Sequence, residues 1–307
     1  MTAPALSVSR LTKKYGDRTA VDNIDIELPA GVVAGFVGPN GAGKTTTMAM
    51  LLGLVRPTAG TGTVLGHSID RPADYLDRVG ALIESPAFYP ALSGEANLRM
   101  LATVAGHDPA PIPGLVDLVG LGGRGADRYR NYSLGMKQRL GIAAALLGDP
   151  ELLILDEPAN GLDPQGVREM RGLIGRVAER GRTVLVSSHD LSELEQVCDW
   201  LVLIDKGRSL YQGPTVSLLD GVVGGLVVRA QETSDTVALQ RILATRGNEV
   251  ASRDGRLLVD VNGADVAALA AEVNRAAFEA GIVLVELSPQ RTTLEDRYLS
   301  LVDGGPQ

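Results

Sequence analysis

Apolar and polar positions alternate along residues 6–28 on either side of a Tyr15-Gly16 turn, and this period of two predicts an antiparallel hairpin or small β layer. From residue 32 the pattern becomes strand, glycine-rich turn and helix: an apolar, Val-rich run at 32–37, a turn at 38–44 and a helical run at 45–53. Two more apolar runs, 152–155 and 183–187, follow helical stretches, an alternation that predicts a largely parallel α/β sheet. Residues 96–135 read as mostly helical, broken by a Pro-rich loop at 109–113, and predict a helical subdomain at about 85–145 inserted into that core.

Past Gly213 the chain changes character. Lys no longer occurs, and residues 218–307 carry 8 Arg against 13 acidic residues, a local charge of −5. A domain boundary is therefore expected between 217 and 218. The pattern beyond it is strand 226–230, helix 235–245, strands 249–252 and 256–261, helix 264–280, strand 282–287 and an amphipathic helix 293–302. That βαββαβ order predicts an α+β, ferredoxin-like accessory domain. No fixed-period repeat is visible.

Composition narrows the function classes. With 307 residues, 45% of them apolar, and 37 Gly and 16 Pro, the chain is an ordinary globular one, not a disordered, collagenous or disulfide-built one. Its longest apolar stretches, such as 48–55, fall short of the ~20 residues a membrane-spanning helix needs. The start of the chain lacks a basic segment followed by an apolar run, which predicts a cytoplasmic location, and the single cysteine, Cys198, agrees. Cys198, Phe88 and Trp200 read as packing residues. A net charge of −8 argues against nucleic acid as a partner.

The chemistry starts at residues 38–45, Gly-Pro-Asn-Gly-Ala-Gly-Lys-Thr, which fit G-x-x-x-x-G-K-[ST] between a predicted strand and a predicted helix. Glycines let backbone N–H groups surround phosphate oxygens, and the helix N-terminus adds its dipole. Lys44 would bridge the terminal phosphates and Thr45 would ligate Mg²⁺. Gly38, Pro39, Asn40, Gly41, Ala42, Gly43, Lys44, Thr45 and Thr46 are thus candidate ATP-binding residues. As a loop residue, Lys44 is expected to reach solvent and to serve phosphate rather than the core. The apolar run at 152–155 ends in Asp156-Glu157-Pro158, and carboxylates at the end of a buried strand need a counter-charge. Asp156 would hold Mg²⁺, and Glu157 would act as general base on water.

Between these motifs, residues 131–140 read Asn-Tyr-Ser-Leu-Gly-Met-Lys-Gln-Arg-Leu. This stretch resembles the L-S-G-G-Q signature of ABC transporter ATP-binding subunits: Ser133, Gly135 and Gln138 match, while Tyr132 and Leu134 depart. Tyr15 is similar to the aromatic residue that stacks on adenine, residues 160–163 (Asn-Gly-Leu-Asp) resemble the D-loop, and His189 matches the switch histidine, placed after what reads as the last core strand. Where the family usually has the Gln of its Q-loop, the chain has Glu84. Residues 83–90, I-E-S-P-A-F-Y-P, resemble the bacitracin and lantibiotic resistance group, and residues 293–298 resemble the end of daunorubicin-type efflux ATPases.

The resemblance implies a P-loop ABC ATPase core in which ATP and Mg²⁺ on one copy are closed over by Ser133 and Gly135 of a second copy, with Gln138 and Asp163 also among the nucleotide-binding residues. It also implies that Glu157, His189 and Glu84 are catalytic and that Thr45, Asp156 and Glu84 face the metal. A membrane-spanning permease would dock on the surface at 84–97 beside Phe88, Tyr89 and Leu92, placing the protein peripherally on the inner face of the membrane. An ATPase of the same family acting on ribosomes or DNA shares this nucleotide chemistry, but usually carries two ATPase halves, a long coiled-coil insert or a zinc module. A nucleotide kinase would leave the Ser133 segment without a use.

Overall fold

The computed structural model describes residues 3–84, 86–219, 223–261, 265–291 and 293–303. The chain divides into two compact units, Met1–Leu218 with Tyr298–Gln307, and Leu219–Arg297. In chain order the first unit contains β1 (Leu6–Tyr15), β2 (Arg18–Leu28), β3 (Val33–Val37), α1 (Lys44–Leu51), β4 (Ala59–Val64), β5 (His67–Ser68), β6 (Val79–Leu82), α2 (Gly94–Ala105), α3 (Ile112–Leu118) and α4 (Leu134–Ala145). It continues with β7 (Leu152–Leu155), α5 (Pro164–Ala178), β8 (Thr183–Ser188), α6 (Leu191–Glu195), β9 (Trp200–Asp205), β10 (Arg208–Pro214) and α7 (Thr215–Leu219).

A six-stranded sheet of order β10-β9-β3-β8-β7-β6 forms the centre, with β10 antiparallel to β9 and every other pair parallel. Every residue of β3, β7 and β8 is buried, as covering both faces of a parallel sheet requires, and this explains the apolar runs of β3 and β7 and of residues 184–186 in β8. The expectation that β8 is the last core strand is corrected: β9 and β10 follow it in the same sheet. A second, antiparallel sheet of order β2-β1-β4-β5 contains the expected hairpin, registered from Leu6↔Leu28 to Tyr15↔Arg18. Its buried Leu6, Leu11, Ile24 and Leu28 share one core with Phe36, Met48 and Met50.

The helical segment is α2, α3 and α4, and its middle differs from the expectation. Residues 119–133 form turns and a short 3₁₀ segment, not a helix. Glycines at 120, 122, 123 and 125 interrupt the helical period there. Two buried tyrosines fix the path, with Tyr129 donating to Pro86 O at 2.9 Å and Tyr132 to Arg124 O at 2.8 Å. The Pro-rich stretch starts a helix instead of only separating two: Pro111 is the N-cap of α3 and Pro113 lies in its first turn, where a missing N–H costs nothing.

The second unit runs β11 (Val223–Ala230), α8 (Thr233–Thr245), β12 (Val250–Arg253), β13 (Arg256–Val259), α9 (Val266–Glu279) and β14 (Leu284–Arg291), and α10 (Leu294–Asp303) follows. Its strands order as β12-β13-β11-β14 with all neighbours antiparallel, the split βαβ arrangement of a ferredoxin-like fold. Leu226, Val228, Leu257 and Val259 face Leu239, Leu243, Leu269 and Val273 in its core. The predicted start of α9 at Ala264 lies outside the described residues.

Candidate functional site

The phosphate loop leaves the carboxyl end of β3. Gly43 stands at the N-terminus of α1 with φ +105, and no side chain caps that helix. Its first-turn N–H groups are therefore available to an anion, with the helix dipole adding to the attraction. Side chains could not replace the glycines: a Cβ on Gly43 would lie 2.6 Å from Ala20 O, and one on Gly38 2.2 Å from Ile204 O. A pocket of about 190 Å³ opens here, lined by Arg18, Ala20, Asn40, Gly41, Gly43, Lys44, Thr45, Thr46, Glu157 and Asn160. Gly38, Pro39 and Ala42 stand behind this lining and shape it. The Ala42 N–H donates to Pro39 O at 3.1 Å, and the Gly38 and Pro39 carbonyls accept from Lys44 Nζ at 2.7 and 3.3 Å.

Lys44 does not reach into solvent, since its side chain is only 5% exposed and its Nζ also lies 3.1 Å from Glu157 Oε1. The other Glu157 oxygen, Oε2, is 2.7 Å from His189 Nδ1, so this carboxylate sits between two basic groups. Asp156 is buried; Thr45 Oγ1 donates to its Oδ2 at 2.7 Å and Ser187 Oγ to its Oδ1 at 2.5 Å. Sheet register assembles this cluster, because β7 pairs with β8 as Leu155↔Val186 and β3 with β8 as Phe36↔Ser187. The carboxyl ends of three parallel strands therefore meet, the position at which open α/β sheets bind ligands. Next to His189, burial pushes the Glu193 carboxyl up, and a hydrogen bond from Ser188 opposes that shift. Among the described residues no group of three or more His, Cys, Asp or Glu side chains forms a metal cage.

A separate cleft of about 510 Å³ is lined by Ser133, Leu134, Gly135, Met136, Arg139, Gly161, Leu162, Asp163, Gln165, Gly166 and Glu169. Ser133 caps α4 by accepting from Met136 N at 3.3 Å, and Asp163 caps α5 by accepting from Gly166 N at 2.7 Å. The expectation for Gln138 is corrected. Its side chain is buried in α4, away from the cleft lining and with no hydrogen-bond partner for Oε1 among the described residues, and Arg139, paired with Glu169, stands on the wall instead.

Tyr15 and Glu84 lie apart from the phosphate pocket. Tyr15 ends β1, 50% exposed, with Lys13 Nζ 4.9 Å above its ring. Glu84 is exposed, with φ +59, and makes no hydrogen bond or ion pair among the described residues; its neighbour Ser85 lies outside them. Phe88 packs edge-on against Tyr129 at 5.1 Å, whereas Tyr89 is 59% exposed. Cys198 is buried, and Trp200 packs on the main core. Two residues not singled out from the sequence, Arg18 and Ala20, line the pocket together with Asn160 of the segment that resembles the D-loop. The Tyr15↔Arg18 pairing across the hairpin turn was the available signal for Arg18.

Comparison with protein families matches residues 21–160 to the family described as ABC transporter. The bacitracin transport ATP-binding protein BcrA of Bacillus licheniformis is 38% identical over 303 residues, 98% of each chain. The chain belongs to the ATP-binding subunits of ABC transporters. The lantibiotic transport ATP-binding protein SrtF of Streptococcus pyogenes is 42% identical over 207 residues, 67% of this chain and 90% of that one. A solved structure of an ATP-binding subunit of an ABC transporter superposes with a TM-score of 0.61 at 26% identity, over 88% of this chain and 99% of its own. Residues 227–295 match a domain of unknown function. As a member of this family the chain is an ATP-binding ATPase, and the family couples hydrolysis to transport through a membrane permease. No helix among the described residues is long and apolar enough to cross a membrane. The relatives are transport proteins by name, which favours transport over action on ribosomes or DNA.

Proposed function

We propose that this chain hydrolyses ATP to drive export of an antibiotic peptide or similar amphipathic compound through a membrane-spanning permease. The observation that carries the reading is the convergence of Lys44, Asp156, Glu157 and His189 at the ends of β3, β7 and β8, in a chain matched along 98% of its length by a bacitracin transport protein. Lys44 and the open N-terminus of α1 hold the phosphates, and Arg18 adds a second cation at the pocket wall. Glu157 takes a proton from the attacking water, and His189 orients its carboxylate through Oε2. Tyr15 offers its exposed face to the adenine.

The donors present suit Mg²⁺: a hydroxyl (Thr45 Oγ1) and a buried carboxylate oxygen (Asp156 Oδ2) lie 2.7 Å apart, and phosphate and water oxygens commonly complete such hard-cation sites. When bound, the ion neutralises charge on the phosphate oxygens. Glu84 would approach it from the loop after β6. Ser133 and Gly135, at the N-terminus of α4, would close on the γ-phosphate of a second copy, making a head-to-tail homodimer in which Asp163 lies at the interface. The exposed Tyr89 and Leu92 would receive a helix of the permease, and the subunit would then sit on the cytoplasmic face of the membrane.

The test is reconstitution of the chain with its permease in vesicles and measurement of ATP-driven movement of a cyclic or lanthionine-containing peptide. Peptide-stimulated ATPase and transport, both abolished by Glu157→Gln, are expected. ATPase activity indifferent to every such peptide would refute the substrate class.

A further inference from the structure

Ser187 has no role in the reading above, yet it joins both acidic residues of the site. It is the penultimate residue of β8 and is fully buried. A serine hydroxyl has a single proton, and here it goes to Asp156 Oδ1 at 2.5 Å, leaving a lone pair to accept the Glu157 backbone N–H at 2.9 Å. Each bond has a consequence. With Oδ1 committed to Ser187, the carboxylate of Asp156 turns Oδ2 towards Thr45 Oγ1. Glu157 has φ +48, a conformation that a residue with a long side chain holds only when neighbours impose it. The bond from its N–H to Ser187, with the Asn160 N–H donating to Glu157 O at 3.0 Å, does so.

We propose that Ser187 is a positioning residue for ATP hydrolysis: its hydroxyl sets the rotamer of Asp156 and pins the left-handed backbone turn that aims the Glu157 carboxylate. This rests on the assignment of Asp156 and Glu157 made above. Removing the hydroxyl frees Asp156 to rotate away from Thr45 and leaves the Glu157 N–H without its acceptor, while the contacts of Lys44 with the Gly38 and Pro39 carbonyls stay in place.

The experiment compares full-length wild type with Ser187→Ala, Ser187→Thr, Ser187→Cys and Glu157→Gln. Threonine keeps the hydroxyl, and Ser187 borders a cavity of about 120 Å³. The readouts are kcat, KM, the Mg²⁺ concentration for half-maximal rate, thermal unfolding, and affinity for a fluorescent ATP analogue in EDTA and in Mg²⁺. Ser187→Ala is expected to lower kcat about 10- to 100-fold and to raise the Mg²⁺ half-saturation, as loss of an outer partner of a metal ligand does. Its analogue affinity in EDTA should stay at the wild-type value while the gain on adding Mg²⁺ shrinks. Ser187→Thr should return kcat to within about threefold of wild type, with Ser187→Cys, a weak donor, between the two. A lower melting temperature with kcat and Mg²⁺ half-saturation unchanged, in Ser187→Ala or, should that variant not fold, in Ser187→Cys, would overturn the proposal and leave Ser187 a packing residue. Wild-type hydrolysis by Glu157→Gln would instead refute the site assignment itself, and the proposal with it.

Discussion

Removing Lys44 should weaken the fold as well as the nucleotide site, because the structure buries its ammonium group where a loop position promised solvent. Lys44→Ala deletes hydrogen bonds to Gly38 O at 2.7 Å and Pro39 O at 3.3 Å, and the 3.1 Å ion pair with Glu157 Oε1. A hydrogen bond with an ionised partner contributes about 1.5–3 kcal/mol, and a buried group left without its partner loses a similar amount. Glu157 keeps His189 at Oε2, which offsets part of its loss, whereas its Oε1 is buried and is left without a partner. The estimate is about 2–4 kcal/mol for Lys44→Ala. The pair itself is isolated by a cycle of Lys44→Ala, Glu157→Gln and the double variant, for which contacting charges give a coupling of about 1–2 kcal/mol. The assay is urea unfolding in EDTA without nucleotide, followed by Trp200, the single tryptophan of the chain, which packs on the core of the first unit and reports that unit. At a slope of about 2–3 kcal/mol per molar urea, Lys44→Ala should lower the midpoint by about 1 M. An unchanged midpoint, or single effects that add to within about 0.5 kcal/mol, would refute the assignment of Lys44 to the folded core.

Burial pushes the Cys198 thiol up, so an aromatic disulfide reagent at pH 8 should leave native protein unlabelled and modify one thiol per chain in denaturant; rapid native labelling would show that the site opens. The Glu193 carboxyl is raised above its ordinary 4.5, so its contribution is fully present below that pH and is lost as pH rises through the higher, folded value. Urea midpoints of Glu193→Gln relative to wild type should therefore climb from pH 4.5 to 7, and parallel curves would contradict the shift. Glu84→Gln should keep measurable ATPase activity but require more Mg²⁺, since a neutral amide attracts the cation less than a carboxylate; superimposable Mg²⁺ titrations would leave Glu84 a solvated loop residue.

Where chemistry needs contiguous residues, the chain was legible. Residues 38–45 and 156–157 sit where their motifs put them, because a phosphate cradle and a strand-end carboxylate pair are local constructions. Burial within a motif was not legible. Lys44 and Gln138 both take their expected roles from position in a pattern, yet both are buried, Lys44 by loop carbonyls and Gln138 within α4. The strand β9, Trp-Leu-Val-Leu-Ile-Asp, is as apolar as β7 and could have been assigned from its sequence. β4 could not: its Gly60 and Gly62 weaken any strand pattern, and the reason for them is tertiary, since a Cβ on Gly60 would lie 2.4 Å from Arg10 O in β1.

Strand order and register are tertiary facts too, and here the polar cluster helps to set them. In β3, β7 and β8, whose residues are buried on both faces, hydrophobic alternation cannot distinguish one register from the next. Asp156 can. In the observed pairing its carboxylate follows Leu155 and meets Ser187, which follows Val186. A slip of one residue between β7 and β8 would move Ser187 out of line with Asp156 and leave a buried charge short of a partner. Such a loss outweighs the small difference in apolar packing between neighbouring registers. The groups assigned to hydrolysis thus also specify the sheet that presents them, and for this reason substitutions at Ser187 or Asp156 must be read with stability and turnover measured together.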